Sequence, residues 1–285
     1  MINLKGKRAL VCGGTSGIGK STVDSLVENG ADVVVLSRSA SGDNTISCDL
    51  EDLDTLRELV TKEIEENGNF HILVNNSGGP PSGPIIEAQS DDFEKAFLRH
   101  VLASHTLVQL LLEGMKSSNY GRIINIISTS VKEPIPGLGV SNTIRGAMAS
   151  WSKTLSKELP PQITINNVLP GFTDTERLTE LKKTLSKQKG ISQEEVESAW
   201  LSTVPEGRLA DPSELGQVVA FLCSSAASFI RGTSIPVDGG RTGSKIFERS
   251  HPYQSAFCQR SFYECRNILE KRRHYHQILR VLRRG

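Results

Sequence analysis

The sequence predicts an α/β protein built on a doubly wound parallel sheet. Three observations carry that expectation. Short runs rich in Val and Ile alternate with longer amphipathic runs. The short runs are apolar almost throughout, as strands covered on both faces are. The first of them leads directly into a glycine-rich turn and then a helical pattern. Alternation repeated this often gives a parallel sheet with helices on both faces. At 285 residues the chain fits one large domain, or one domain with an appendage. A composition 37% hydrophobic but only 5% aromatic supplies an aliphatic core.

Taken in order, Arg8–Cys12 is the first strand and Gly17–Asn29 the first helix. Asp32–Ser37, with three consecutive valines, and Thr45–Asp49 are the next two strands. Leu53–Glu66 then reads as helix, Ile72–Asn76 as strand, and Asp91–Lys116 as one long helix. Arg122–Ser128, Ser141–Glu158 and Thr164–Leu169 continue the alternation, and Pro212–Cys223 and Ser234–Asp238 close it. Glu176–Trp200 breaks the pattern as a polar, Lys- and Glu-rich insertion. It reads either as a solvated helical pair or as a mobile lid, because insertions at the carboxyl edge of such a sheet lie over the ligand crevice.

Charge is unevenly placed. Residues 245–285 hold ten Lys/Arg against three Glu, which leaves about −6 on the first 244 residues. A mildly acidic body offers no case for nucleic-acid binding. The five cysteines (Cys12, Cys48, Cys223, Cys258, Cys265) show no metal-ligand spacing, so no metal site is expected. Scattered free thiols point to a reducing compartment. With no apolar stretch long enough for a signal or membrane helix, the expectation is a soluble, cytoplasmic protein.

The first strand runs into Gly13-Gly14-Thr15-Ser16-Gly17-Ile18-Gly19. Glycines there allow a tight turn and let the backbone approach a pyrophosphate at a helix N-terminus, where free N–H groups favour an anion. The spacing is Gly-x-x-x-Gly-x-Gly, and further motifs follow in one register: Asp49-Leu50, Asn75-Asn76-Ser77-Gly78, Ser128, Pro170-Gly171 with Thr173 and Thr175, and Val237-Asp238-Gly239-Gly240. The chain resembles the short-chain dehydrogenase/reductase family over roughly residues 4–243, and within it the 3-oxoacyl thioester reductases and related carbonyl reductases. The resemblance implies a Rossmann-type single domain at 1–243. Gly13, Thr15, Ser16, Gly17, Ile18 and Gly19 would hold the cofactor pyrophosphate side. Asp49 and Leu50 would meet the adenine, Asn76, Ser77 and Gly78 at the fourth strand's end would also bind the cofactor, and Pro170, Gly171, Thr173 and Thr175 would meet the nicotinamide end.

At the end of the second strand an acidic residue would bind an unphosphorylated ribose; here Ser37-Arg38 stands instead. A planar, permanently charged guanidinium beside a hydroxyl suits a 2′-phosphate. The resemblance therefore implies NADP(H) over NAD(H). Counting from the family's catalytic serine at Ser128, the positions of its Asn, Tyr and Lys read His100, Ser141 and Arg145. Ser141 and Arg145 are still one helical turn apart, but a serine hydroxyl is a poor acid where a tyrosine would start near pKa ~10. Three readings follow. His100 is the proton donor to a carbonyl, through Ser141 or a water. Or Ser128, Ser141 and Arg145, which would also grip the nicotinamide ribose, polarise the carbonyl while water gives the proton. Or the protein is a catalytically impaired dinucleotide-binding or scaffold protein.

Ile135, Leu138, Val140, Phe172 and Trp200 near the expected crevice point to a partly apolar carbonyl or alcohol substrate. The resemblance also implies a homodimer or homotetramer through the helices at 91–116 and 141–158. In the basic extension 244–285, Phe262, Cys265, Leu269, His276, Leu279 and Leu282 approximate one helical stripe. It reads as an amphipathic helix for an acidic partner or anionic membrane surface, or as an appendage without a catalytic role.

Overall fold

The computed structural model describes residues 2–243. The expected stripe of residues 262–282 lies outside them. The strands β1 (Arg8–Cys12), β2 (Asp32–Ser37), β3 (Thr45–Ser47), β4 (Ile72–Asn75), β5 (Gly121–Ile126), β6 (Ile163–Pro170) and β7 (Ser234–Val237) form one sheet in the order β3-β2-β1-β4-β5-β6-β7. Every neighbouring pair is parallel. The order reverses beside β1, so the crevice opens where the β1 and β4 connections diverge. The doubly wound α/β class read from the sequence is the one observed.

Helices α1 (Gly17–Glu28) and α8 (Pro212–Cys223) cover one face. They bury Leu26, Leu215, Val219 and Leu222 against Val11, Val74, Ile124 and Val168. Helices α2 (Leu53–Asn67), α4 (Ala103–Ser117) and α5 (Gly139–Glu158) cover the other, where Leu56, Val60, Leu107, Leu111 and Met115 meet Leu10, Leu73, Ile123 and Ile165. The ends are locally specified. Asp52 caps α2 by accepting from Thr55 N at 3.0 Å, and Asp211 with Glu214 forms a capping box around Pro212 at the head of α8.

Several boundaries differ from the sequence reading, α5 among them, which begins at Gly139 rather than Ser141. The expected helix 91–116 is α3 (Ser90–Phe97) and α4 joined by a π-helical turn over Leu98–Leu102. A π turn adds a residue to the helical cycle without ending the helix, and Leu98–Leu102 holds no Gly or Pro to mark the join. β5 stops at Ile126, and Ser128 begins a 3₁₀ turn, Thr129–Val131. β3 stops at Ser47, which leaves Asp49-Leu50 in the following loop. The insertion folds as a helical pair, α6 (Glu176–Lys189) and α7 (Gln193–Leu201), tied by Lys182 to Glu197 at 2.5 Å. α6 buries none of its side chains.

A row of amides crosses the sheet on the α4/α5 side. Asn75 Nδ2 donates to Asn125 Oδ1 at 2.8 Å, Asn125 Nδ2 to Asn167 Oδ1 at 2.9 Å, and Asn167 Nδ2 to Ser234 Oγ at 3.1 Å. All three asparagines are buried. The row ends under the crevice, where Asn75 Oδ1 has no partner.

Candidate active site

The turn after β1 is shaped by what surrounds it. Gly13 has φ +61° and a Cβ there would lie 2.7 Å from Asn76 O; a Cβ on Gly19 would lie 1.9 Å from Gly13 O. Only glycine fits either place. Asn76 Nδ2 braces the turn by donating to Cys12 O at 3.3 Å and Gly13 O at 3.2 Å. Ser16 heads α1 in an extended conformation, but its side chain makes no capping hydrogen bond. The first turn of α1 thus presents backbone N–H groups that no side-chain cap occupies, a fit for a pyrophosphate. Across from it, Thr175 caps α6 by accepting from Leu178 N at 3.3 Å. Its methyl would lie 3.3 Å from a Cβ on Gly17. The base of the insertion therefore closes over the glycine turn.

At the end of β2 the hydroxyls of Thr15, Ser37 and Ser39 cluster. Thr15 Oγ1 is 3.3 Å from Ser37 Oγ and 3.5 Å from Ser39 Oγ, and the two serines are 3.3 Å apart. Arg38 is 71% exposed beside them, with Nη1 3.8 Å from the Asp49 carboxylate. The sequence reading named Thr15, Ser37 and Arg38 but not Ser39, whose signal was its place two residues beyond Ser37.

Deeper in the crevice, His100 sits in the π turn, 3% exposed. Its Nδ1 is hydrogen-bonded to Ser77 Oγ at 2.6 Å, while Nε2 has no partner. Burial first, then the guanidiniums of Arg145 and Arg99, hold its pKa well below 6.5. Arg99 is itself ion-paired to Glu51. Arg145 is buried, donates from Nη1 to Ile126 O at 2.8 Å, and has its pKa lowered to about 10 by burial and then by Arg177. It stays charged at neutral pH. His100, Arg145, Ser77 and Asn75 line one small cavity of about 10 Å³, room for roughly one water.

Ser128 is half-buried and its Oγ accepts from Ser130 N at 3.0 Å, which leaves the hydroxyl proton free to donate. Ser141 stands one turn before Arg145 in α5, half-buried, with no hydrogen bond from its hydroxyl among the described residues. His100 thus engages Ser77 rather than Ser141. Thr173 is buried with Oγ1 3.3 Å from Gly171 O; Pro170 ends β6, and Gly171 packs against Asp238. Phe172 and Trp200 are brought together, rings stacked 5.0 Å apart at 16°. Val140 is a correction: it faces inward with Ala96, Val101 and Ile144 rather than into the crevice. Tyr120, the tyrosine nearest in sequence, is held to Cys223 O at the opposite end of β5. The described cysteines are buried free thiols; Cys12 and Cys223 are pushed up to about 12 by burial.

Comparison with known proteins agrees with this geometry. A family profile described as enoyl-(acyl carrier protein) reductase matches residues 13–242. The chain belongs to the short-chain dehydrogenase/reductase family. It is 33% identical over 253 residues to the 3-oxoacyl-(acyl-carrier-protein) reductase FabG of Vibrio cholerae, an alignment covering 84% of this chain and 98% of that one. Among solved structures it resembles the L-sorbose reductase of Gluconobacter frateurii complexed with NADPH and L-sorbose. There the TM-score is 0.78 and the identity 26%, covering 85% of this chain and 99% of that one. A 7α-hydroxysteroid dehydrogenase complexed with NADH aligns with a TM-score of 0.75 and 27% identity, over 84% and 95% of the two chains. This family's enzymes act on CH–OH and C=O groups with NAD(P), and the chain is such an oxidoreductase. No helix among the described residues is long and apolar enough to cross a membrane.

Proposed function

We propose that this enzyme reduces a partly apolar ketone to an alcohol with NADPH, and that its proton comes from water rather than from a side-chain acid. The observation that carries the cofactor assignment is the Thr15–Ser37–Ser39 hydroxyl cluster with the exposed Arg38 beside it. Those groups offer a 2′-phosphate several hydroxyl donors and a guanidinium, and the one carboxylate beside them, Asp49, lies 3.8 Å from that guanidinium rather than among the hydroxyls. When bound, NADPH supplies the hydride for the carbonyl carbon.

The chain's own residues do the rest. The glycine turn and the head of α1 hold the pyrophosphate, and Asn76 keeps the turn rigid. Ser128 donates its free proton as a hydrogen bond to the carbonyl oxygen, and Ser141 offers a second hydroxyl. The buried charge of Arg145 favours the negative charge that grows on that oxygen. His100 is neutral at physiological pH and its Nδ1 is committed to Ser77, which weighs against it as the acid. Without a tuned acid the chemistry forgoes about 10²–10⁴ in rate.

The α6–α7 pair serves as the substrate lid. Arg177 of α6 reaches across to Pro80 O at 2.8 Å, and Trp200 of α7 covers Phe172. Dimerisation through α3, α4 and α5 is supported by Phe97 and Leu102, exposed by 41% and 38%. The deciding experiment is a parallel titration with NADPH and NADH, read by quenching of Trp151 and Trp200. The expected result is tighter binding of NADPH, with the preference lost in Arg38→Ala. Equal affinity for both nucleotides, or none for either, would overturn the assignment.

A further inference from the structure

Arg241 lies in the turn after β7, with its guanidinium carbon 5.1 Å from the Phe172 ring centroid and Nη1 donating to Thr129 Oγ1 at 3.2 Å. Thr129 is the residue after Ser128, and Phe172 carries Trp200 stacked on it. The ends of three neighbouring strands, β5, β6 and β7, thus gather a guanidinium, an aromatic pair and the hydroxyl of Ser128 at one edge of the sheet.

Arg241 makes no ion pair with a carboxylate among the described residues. The acid nearest in sequence, Asp238, is taken up by its own turn, accepting from Gly240 N at 3.1 Å, Thr242 N at 2.9 Å and Thr242 Oγ1 at 2.7 Å. The other two arginines of this half of the crevice are committed to backbone oxygens, Arg145 to Ile126 and Arg177 to Pro80. Among the described residues, one of the five N–H donors of Arg241 is used. The remainder form a planar fork, steadied by Thr129 and the Phe172 face, of the kind that pairs with two oxygens of an anion at once.

We propose that Arg241, with the Phe172–Trp200 stack, binds an oxyanion of the substrate, so that the ketone reduced here carries a carboxylate or a phosphate. This rests on the function proposed above and names its substrate class. A neutral ketone of the same size would fill the aromatic wall and leave the fork to water. An anionic one would use both.

The test uses the full chain saturated with NADP⁺, with binding read by calorimetry and by Trp200 fluorescence. The probes are 4-phenyl-2-oxobutanoate, its neutral counterpart 4-phenylbutan-2-one, and dihydroxyacetone phosphate. At least one anionic probe should bind about tenfold or more tightly than the neutral ketone, a difference typical of one charge-assisted pair, and which one does so separates carboxylate from phosphate. In Arg241→Met that ratio should fall toward one, and Arg241→Lys should restore part of it. Anionic and neutral probes of equal affinity, or a preference that survives in Arg241→Met, would overturn the assignment. NADP⁺ binding with no probe binding overturns this assignment alone. Failure of NADP⁺ and NADPH to bind would take down the proposed function with it.

Discussion

Replacing His100 by asparagine should flatten the acid side of the stability profile. In the unfolded chain an imidazole takes its proton near pH ~6.5. In the folded protein, burial and the charges of Arg145 and Arg99 keep His100 neutral to well below that. Between the two, the unfolded state binds one more proton, so stability is full above pH ~6.5 and falls as the pH drops. The slope is about 1.36 kcal/mol per pH unit. While the folded imidazole stays neutral, each further pH unit below ~6.5 removes about that much from the roughly 5–15 kcal/mol that holds a domain folded. His71 is shifted the same way by burial and by Lys7 and Arg8, but it is present in both proteins and cancels. Urea midpoints at fixed protein concentration, taken near pH 7 and near pH 5, give the two slopes. The lost Ser77 hydrogen bond lowers the variant by a constant amount at every pH, so the difference in slope isolates the imidazole. Parallel pH profiles for the two proteins would refute the reasoning, because they would mean that His100 accepts its proton in the folded state as readily as in water.

Three further outcomes follow from the geometry. Gly19→Ala should abolish measurable NADPH binding by calorimetry, since its methyl would collide with Gly13 O in the turn proposed to hold the pyrophosphate; retained affinity would mean the phosphates bind elsewhere. Asn125→Leu should lower unfolding stability by roughly 2–5 kcal/mol in denaturant titration, because it leaves Asn75 Nδ2 and Asn167 Oδ1 unpartnered in the core; a loss under about 1 kcal/mol would mean that water replaces both bonds. The double change Ser141→Tyr with Arg145→Lys installs a phenol and an ammonium one turn apart, and should raise kcat toward a neutral ketone by about 10²-fold, with a new pH dependence on its basic limb. A variant that binds NADPH yet turns over no faster would show that the missing acid does not limit the rate.

The sheet was legible because buried parallel strands are written as unbroken apolar runs, and Arg8–Cys12 and Asp32–Ser37 match residue for residue. The tight turn after β1 was legible because its glycines answer to steric demands that no other residue meets. What escaped was set by tertiary context. The π turn at 98–102 contains no Gly or Pro to announce it, so nothing in the local sequence showed that His100 would swing toward Ser77. Val140 reads as a crevice residue only until α5 is seen to begin two residues earlier than expected, at Gly139, which turns it inward. Arg177 and Arg241 lie 97 and 112 residues from Pro80 and Thr129, and no local pattern joins such pairs.

The asparagine row also has a meaning for how the chain finds its fold. Its partners are 50, 42 and 67 residues apart in sequence. Parallel strands made only of Val and Ile would tolerate sliding past one another, since each slipped register still buries aliphatic surface. A slip of one residue here turns an amide to the opposite face, among the aliphatic side chains under α1 and α8, with nothing to bond. The row thus acts as a set of alignment pins, and strands β4 through β7 have one register in which all pins are seated.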